Sequence, residues 1–277
     1  MKKSLSAKKE FLMNLAEYEV MYRVEKDHWW YRGLREILFR WTWRAFRETT
    51  PPVKPARFKI LDAGCGTGIN LALHQRAGFA IWGVDASPEA VAFTRKRGAK
   101  RTAEALIQKL PFKKGFFDLI YSMDVLYMLS EREVRKAFLE LKRCLRPGGT
   151  LILNSATLNF LYSSHDVASG GVARHSKKIL ERLLLDAGFH IRKSTYRLFL
   201  LFPILAGVKL IQRIGLRKQT AAKVQGDLEK TNRLLNIIFH PVMRLENALL
   251  KVFNLPIGTS LFIVAESVSR FHRRGKL

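Results

Sequence analysis

The chain has 277 residues, of which 48% are hydrophobic, and its 49 Lys and Arg against 23 Asp and Glu give a formal net charge of +26. This length allows one large or two small domains with a sizeable core, while only two cysteines exclude a disulfide framework and predict reduced thiols in a cytoplasmic protein. The basic excess predicts attraction to a polyanion, either nucleic acid or an anionic membrane surface, unless it only reflects a host that favours basic proteins.

Two helices are predicted ahead of the main body of the chain, at Phe11–Tyr22 and Asp27–Phe46. Apolar residues recur at helical spacing in the second and would face the body of the protein. The proline-rich run at 49–55 cannot continue a helix, so residues 1–54 are predicted to form an N-terminal helical cap. The first residues lack the apolar core of a signal peptide, and no run reaches the ~20 apolar residues of a membrane span.

Residues 55–198 alternate between predicted strands and helices, which predicts a parallel sheet covered by helices on both faces. This part ends with a helix at Ser176–Ala187, stopped by Gly188, and a strand at Phe189–Tyr196. The elements ahead of that helix are Phe58–Ala63, Asn70–Arg76, Ala80–Asp85, Pro88–Arg97, Ala99–Ala103, Leu119–Met123, Glu131–Cys144 and Thr150–Asn154.

A helical insertion is predicted at residues 199–258, before a final strand and a basic tail at 259–277. Leu198–Val208 is apolar with an interruption at Pro203, and Leu228–Phe253 is amphipathic with a break expected at Pro241. One interpretation is a helical cap over the substrate side of the sheet. The other is a surface that enters an anionic membrane interface and collects a lipid-linked acceptor. The flanking basic residues are Arg197, Lys209, Arg213, Arg217 and Lys218.

The most informative segment follows the first strand and reads Asp62-Ala-Gly64-Cys65-Gly66-Thr-Gly68. Glycines let a ligand approach the backbone, but the third comes one residue earlier than in the G-x-G-x-x-G dinucleotide fingerprint. The Asp62 carboxylate would repel a pyrophosphate and attract an ammonium group, so the loop predicts the cationic nucleoside S-adenosylmethionine. Asp85 lies 21 residues beyond Gly64 at the end of the next strand, where a carboxylate binds ribose hydroxyls.

Further segments resemble the class I methyltransferases. Leu110-Pro-Phe112 with 117–126 (FDLIYSMDVL) is similar to their fourth strand, and 145–153 (LRPGGTLIL) to their turn into the fifth. The segments 28–33 (HWWYRG), His165-Asp166 and 255–261 (LPIGTSL) resemble a bacterial type-11-like branch with an N-terminal HWW motif. The resemblance implies a Rossmann-like, seven-stranded, mostly parallel α/β sheet. It also implies N-terminal helices and an antiparallel last strand, for which Ser260–Ser267 is the candidate.

The resemblance also implies further residues of the donor site. Ala86 would lie beneath the adenine, and the Met123 backbone would line the cofactor. Relatives often place an acid against the adenine amino group after the third strand, where this chain has no carboxylate. The Ile107 backbone and Gln108 are the candidates there, with Glu104 as the alternative.

The HWW region is a second candidate part of the donor site. Arg35 or Arg32 would pair with the donor carboxylate, and Trp30 or Tyr31 would contact the sulfonium. Alternatively, the tryptophans only anchor the helix to the sheet.

General bases for the acceptor are sought near the loop after the fifth strand, where His165 and Asp166 are the candidates. His28 and Tyr127 are alternatives, and His175 beside Arg174 is a candidate for binding an anionic acceptor. The histidines and cysteines show no ligand spacing, so no metal site is expected.

The function predicted from these residues is methyl transfer from S-adenosylmethionine to oxygen of a small-molecule, glycan or lipid-linked acceptor. Two alternatives stay open: an RNA methyltransferase, which the net charge favours, and a non-catalytic protein that only binds the cofactor. We expect a cytoplasmic protein, peripheral on the inner face of the membrane if the insertion binds lipid. The oligomeric state is left open.

Overall fold

The structure, a computed structural model, describes residues 13, 15–162, 171–216 and 233–268. These residues form the strands β1 (Lys59–Ala63), β2 (Ala80–Asp85), β3 (Thr102–Glu104), β4 (Phe117–Met123), β5 (Leu145–Ala156), β6 (Phe189–Arg197) and β7 (Ser260–Ser267). The strands make one sheet in the order β3-β2-β1-β4-β5-β7-β6. Strands β1 to β5 pair in parallel, whereas β7 is antiparallel to β5 and β6. The predicted Rossmann-like, mostly parallel sheet with an antiparallel last strand is confirmed.

The helices begin at side-chain caps that the sequence supplies. The hydroxyls of Ser87, Ser130 and Ser176 each accept a hydrogen bond from the first turn of the helix that follows. The described helices are α1 (Leu15–Val24), α2 (Trp29–Arg47), α3 (Ile69–Arg76), α4 (Pro88–Lys96), α5 (Glu131–Cys144), α6 (Lys177–Asp186), α7 (Phe202–Leu216) and α8 (Arg233–Leu249).

Several element predictions differ from the structure, and β5, expected at Thr150–Asn154, begins already at Leu145. The third strand was expected at Ala99–Ala103 but lies at Thr102–Glu104, because the chain uses the residues after Gly98 to turn back toward β2. Pro203 is the second residue of α7, where a missing N–H is harmless, so it belongs to the start of a helix. The break expected at Pro241 is wrong, since α8 continues through it. Packing of α8 against α2 offsets the lost helical hydrogen bond.

Two apolar clusters cover the two faces of the sheet, because neighbouring residues along a strand point to opposite sides. The cluster under α5 and α6 contains Leu61, Ile120, Phe138 and Leu180. The cluster under α2 and α3 contains Ile60, Leu119, Ile37 and Leu71. Sheets of this kind bind ligands at the loops that follow the carboxyl ends of the parallel strands.

The insertion helix α8 packs directly on α2. A Cβ on Gly33 of α2 would lie 2.9 Å from the Met243 Cβ, so the two helices approach closely because this residue is glycine. The Asn247 Nδ2 donates to the Gly33 carbonyl at 2.8 Å, and the Trp29 N–H donates to Asn236 Oδ1 at 2.8 Å. The predicted N-terminal cap and insertion thus touch one another. Among the described helices, none combines the length and apolarity needed to cross a membrane.

Candidate donor and acceptor site

The glycine loop between β1 and α3 has a backbone that only glycine tolerates. The N–H groups of Gly64 and Cys65 both donate to the Val84 carbonyl, at 2.8 and 2.9 Å. Gly64 has φ +87°, and a Cβ there would lie 2.1 Å from Val125 Cγ2. Gly68 has φ +81°, and a Cβ there would lie 2.8 Å from a threonine side chain of α4. The loop therefore keeps a fixed shape at the end of β1, as a ligand-binding turn requires.

Asp85, at the end of β2, holds the same loop. Its Oδ2 accepts a hydrogen bond from the Gly66 N–H at 2.8 Å, and its Oδ1 accepts one from the Ser87 N–H at 3.0 Å. Each carboxylate oxygen keeps lone-pair capacity for a ribose hydroxyl. Burial raises the pKa of Asp85, while these N–H groups lower it. Ala86, the residue between Asp85 and Ser87, is half-buried, and the adenine is expected to lie against it.

Asp62, in β1, is a buried carboxylate with unused bonding capacity. Its Oδ2 has no hydrogen-bond partner in the part of the chain that the structure describes. Burial raises its pKa well above the ordinary value, and a hydrogen bond from the Tyr121 hydroxyl opposes the shift. An unpaired carboxylate oxygen beside the glycine loop fits the ammonium group of S-adenosylmethionine. The neighbouring Cys65 thiol is also buried, and burial raises its pKa, so the thiol stays neutral.

The helix α1 lies over the glycine loop. The Met21 Cε lies 3.0 Å from the position that a Cβ on Gly66 would take. Glu25, just after α1, receives hydrogen bonds from Arg97 Nη2 at 2.5 Å and from the Thr67 hydroxyl. Thr67 belongs to the glycine loop and Arg97 follows α4. Their hydrogen bonds to Glu25 therefore fix the N-terminal segment across the loop.

Two residues of the HWW region have clear positions. Arg35 donates to the carbonyls of Glu25 and Lys26 at 2.5 and 2.6 Å, which ties α2 to the end of α1. Its pairing with the donor carboxylate stays a prediction. Trp30 is half-buried and meets Tyr31 edge-on, with 4.7 Å between ring centroids.

The adenine side of the site lies beyond β3. Gln108 has a buried Oε1 without a hydrogen-bond partner among the described residues, and the Ile107 side chain is buried beside it. An amide oxygen of this kind can accept from an adenine amino group. The Ala105 N–H donates to the Asp85 carbonyl at 2.8 Å, which holds this segment next to the ribose-side carboxylate. Glu104 is exposed.

A second polar cluster joins the ends of β4, β5 and β6. Asp124 follows Met123 with φ +56°, and Asn154 Nδ2 donates to both of its carboxylate oxygens at 2.9 and 3.0 Å. Arg197 ends β6, is fully buried, and donates from Nη1 to Asn154 Oδ1 at 3.4 Å. Burial raises the pKa of Asp124 to about 6, against the opposing effects of Asn154 and Arg197.

The sequence did not predict that Asp124 and Asn154 form this polar cluster or that Glu246 lies near it. The Glu246 carboxylate of α8 accepts from the N–H groups of Leu198 and Leu200, at 2.6 and 3.1 Å. Asn154 could have indicated this cluster from the sequence, because it interrupts the apolar run of β5 and a polar side chain in a buried strand needs a hydrogen-bond partner.

Carboxylates are concentrated around this site in an otherwise basic chain. The pKa of Tyr31 is raised well above its ordinary value by burial and then by the charges of Glu25, Asp124 and Glu17. The charge of Asp85 likewise raises the pKa of Asp62. Asp85 bonds to the loop at Gly66, Glu25 bonds to Thr67, and Asp62 precedes the loop in β1, an environment that favours a sulfonium and an ammonium group.

The predicted general base, His165 with Asp166, lies outside the described residues. His175 is buried and its Nε2 lies 2.8 Å from the Leu129 carbonyl, while Arg174 donates to the Thr157 carbonyl at 3.1 Å. Across the described ranges, no group of three His, Cys, Asp or Glu side chains has the arrangement of a metal site.

Residues 61–153 match the methyltransferase domain family. The malonyl-acyl-carrier protein O-methyltransferase of Herminiimonas arsenicoxydans is 29% identical over 76% of this chain and 82% of its own length. The tRNA U34 carboxymethyltransferase of Cellvibrio japonicus is 31% identical over 54% of this chain, which spans only 48% of that relative. A chain in the complex of the Trm112 methyltransferase activator from Haloferax volcanii has the same fold, with a TM-score of 0.54 and 18% identity over 92% of this chain and 95% of that one.

The strand order, the glycine loop followed by Asp85, and the matched domain all agree. The chain is a class I S-adenosylmethionine-dependent methyltransferase.

Proposed function

We propose that this enzyme methylates an oxygen atom of an amphiphilic small-molecule, glycan or lipid-linked acceptor at an anionic membrane surface. The observation that carries the proposal is an apolar surface, here called the exposed apolar face, on α7, α8 and the turn after α8. Its side chains are 44 to 76% exposed and comprise Ile204, Val208, Leu210, Ile211, Leu234, Ile237, Ile238, Leu245, Val252 and Phe253.

The helix α8 is apolar on two sides. Phe239, Val242 and Met243 pack inward with Trp29. Other apolar residues recur at helical spacing on the outer side, where a helix at the surface of a protein normally has polar ones. Exposed apolar residues that gather on one surface in this number are typical of an interaction site.

Basic side chains border the exposed apolar face. A groove of about 770 Å³ between α2 and α8 is lined by Arg40, Arg244 and Lys251, with Glu36 as its acidic member. Cations beside apolar side chains suit a membrane interface, with headgroups at the cations and acyl chains against the apolar residues. The net charge of +26 adds a long-range attraction to the same surface.

The residues around the donor loop support transfer mainly by positioning. S-adenosylmethionine supplies a methyl group already activated on a sulfonium, so orientation accounts for much of the rate, roughly 7–11 kcal/mol in well-aligned reactions. Asp85 would bind the ribose, Asp62 the ammonium group, and Gln108 the adenine. Asp124, next to Val125 at the glycine loop, would place negative charge beside the sulfonium. His165 and Asp166 stay the candidate bases for an oxygen acceptor.

The O-methyltransferase relative, 82% of whose length is covered, supports an oxygen acceptor. RNA is the second candidate acceptor, because a tRNA-modifying relative matches and because the net charge would bind phosphates. The salt dependence of binding separates RNA from a membrane-bound acceptor. Binding to RNA phosphates weakens steeply with salt, whereas insertion of apolar side chains into a membrane does not.

The test follows labelled methyl from S-adenosylmethionine into the lipid, small-molecule, protein and RNA fractions of a bacterial lysate. Vesicles of phosphatidylcholine with phosphatidylglycerol measure membrane binding. The variant Ile238→Asp/Leu245→Asp changes the exposed apolar face, and Leu139→Asp, 53% exposed on α5, is the matched control.

We expect the double variant to bind vesicles about tenfold more weakly or worse, from roughly 1 kcal/mol for each half-exposed side chain. It should keep its affinity for S-adenosylmethionine, and the control should match the wild type. Label in lipid or amphiphilic small molecules supports the proposal. Label in RNA, or vesicle binding that the double variant retains, contradicts it.

A further inference from the structure

Arg197 is a buried cation with an unused hydrogen-bonding edge. The side chain is fully buried, yet neither Nε nor Nη2 has a partner among the residues that the structure describes. Only Nη1 is engaged, with Asn154 Oδ1 at 3.4 Å. Its backbone is fixed by Gly258, where a Cβ would lie 2.0 Å from the Arg197 carbonyl oxygen. Unpaired buried donors are costly, so this arrangement calls for a ligand.

The two unused donors lie on one edge of the guanidinium. The Nε–H and one Nη2–H point the same way and form the planar fork that binds two oxygens of a carboxylate or phosphate. Neutral groups with a single acceptor atom satisfy only half of this fork. The chemistry of the free edge therefore points to an anionic group.

The charged neighbours of Arg197 are occupied elsewhere. Glu246 accepts from the N–H groups of Leu198 and Leu200, and Asp124 accepts both N–H bonds of the Asn154 amide. Both carboxylates favour the charged form of Arg197, while burial lowers its pKa. They hold the cation in place without filling its free edge.

Arg197 lies at the edge of the sheet where the donor binds. β6 runs antiparallel to β7, and β7 runs antiparallel to β5, so the ends of β5 and β6 meet at the same edge. Asn154 connects Arg197 to Asp124, and the next residue, Val125, contacts the glycine loop. A group held by Arg197 would thus lie at the same edge of the sheet as the glycine loop.

We propose that the free Nε and Nη2 edge of Arg197 binds a carboxylate or phosphate group of the methyl acceptor and so selects acidic acceptors. This inference rests on the proposed function. Arg197 acts as a specificity-determining residue and takes no part in bond making. Asn154 orients its guanidinium through Nη1.

The test measures binding of three probes with the same chain, octanoate, octyl phosphate and octanol, to the protein saturated with S-adenosylhomocysteine. Calorimetry on the wild type, Arg197→Lys and Arg197→Met gives the preference for each anion over the alcohol. Arg135→Met, which removes an exposed arginine of α5, is the control. Affinity for S-adenosylhomocysteine reports whether each variant keeps its fold and donor site.

We expect the wild type to bind octanoate or octyl phosphate about tenfold or more tightly than octanol. Arg197→Lys, which keeps the charge but not the planar fork, should lose most of this preference and still bind S-adenosylhomocysteine. The preferred probe identifies the anion as carboxylate or phosphate. A folded Arg197→Lys variant with an unchanged preference, or a wild type without one, would overturn the inference.

Failure of the proposed function has a different signature. If labelled methyl goes to RNA and not to lipids or small molecules, the proposed function fails while the probe preference can still be present. If labelled methyl enters amphiphiles but Arg197→Lys transfers equally well to acidic and neutral ones, only this inference fails.

Discussion

Replacement of Gly64 by alanine tests the donor loop sharply, because the chain contains a matched control. Gly64 and Gly98 have φ values of +87° and +86°, so alanine meets the same backbone strain at both, about 1–2 kcal/mol. At Gly98 a Cβ has no neighbour within 4 Å, whereas at Gly64 it would lie 2.1 Å from Val125 Cγ2. That overlap adds about 1–3 kcal/mol, the usual cost of overpacking.

We therefore expect Gly98→Ala to lower the free energy of unfolding by about 1–2 kcal/mol and Gly64→Ala by about 2–5 kcal/mol. Urea denaturation measures both losses. Calorimetry should show weaker binding of S-adenosylmethionine to Gly64→Ala and unchanged binding to Gly98→Ala.

A double-mutant cycle isolates the contact with Val125. Val125→Ala in the Gly64→Ala background should restore part of the lost stability, with a coupling of about 1 kcal/mol or more. Equal losses for the two glycine variants would refute the reasoning. So would strictly additive effects of Gly64→Ala and Val125→Ala.

Three further changes test the N-terminal segment, the end of β4 and the α2–α8 contact. Arg97→Met should cost about 3–5 kcal/mol in urea denaturation because Glu25 is left buried without its cation, and adding Glu25→Gln should recover part of it. The Asp124 charge is lost as the pH falls through about 6, so calorimetry should show weaker binding of S-adenosylmethionine below that pH, with a smaller change for S-adenosylhomocysteine and no such step in Asp124→Asn. For stability the sign is opposite, because a raised carboxyl pKa means that the Asp124 contribution is present at low pH and lost as the pH rises through about 6. Gly33→Ala should lower the melting temperature, although alanine usually favours a helix by about 1 kcal/mol. A double-mutant cycle with Met243→Ala should recover only part of this loss, because alanine removes the Cγ and Cε of Met243 but keeps the Cβ that makes the closest contact.

The structure around the glycine loop was predictable because its signals are local in the sequence. The glycines and Asp85 belong to one strand–loop–helix–strand unit, and that unit has the predicted order and pairing. The contact between Glu25 and Arg97 was not predictable, since it joins residues 72 apart. Neither residue type signals a partner, because charged side chains occur throughout this basic chain.

The acceptor half depends on strand order, which the sequence specifies weakly. Arg197 and Asn154 meet across β7, the last strand in the chain, which inserts between β5 and β6. In the sequence analysis Arg197 was interpreted as a residue flanking an apolar segment. Its burial follows from tertiary packing under α8. The wrong prediction at Pro241 has the same origin, because contacts with α2 outweigh a local helix-breaking tendency.

The distribution of charge explains how two oppositely charged substrates can share this site. Fields from exposed Lys and Arg are screened over about 8 Å at physiological salt, so they act little at the glycine loop, where the carboxylates of Asp62, Asp85 and Glu25 lie. The donor loses its sulfonium charge on transfer, which removes part of its attraction to those carboxylates and favours release of the product. An acidic acceptor would be drawn by the basic exterior and held by Arg197, on the other side of Asp124. In the proposed arrangement Asp124 would lie between the donor and an acceptor held by Arg197, so this one carboxylate at the end of β4 would affect the binding of both substrates.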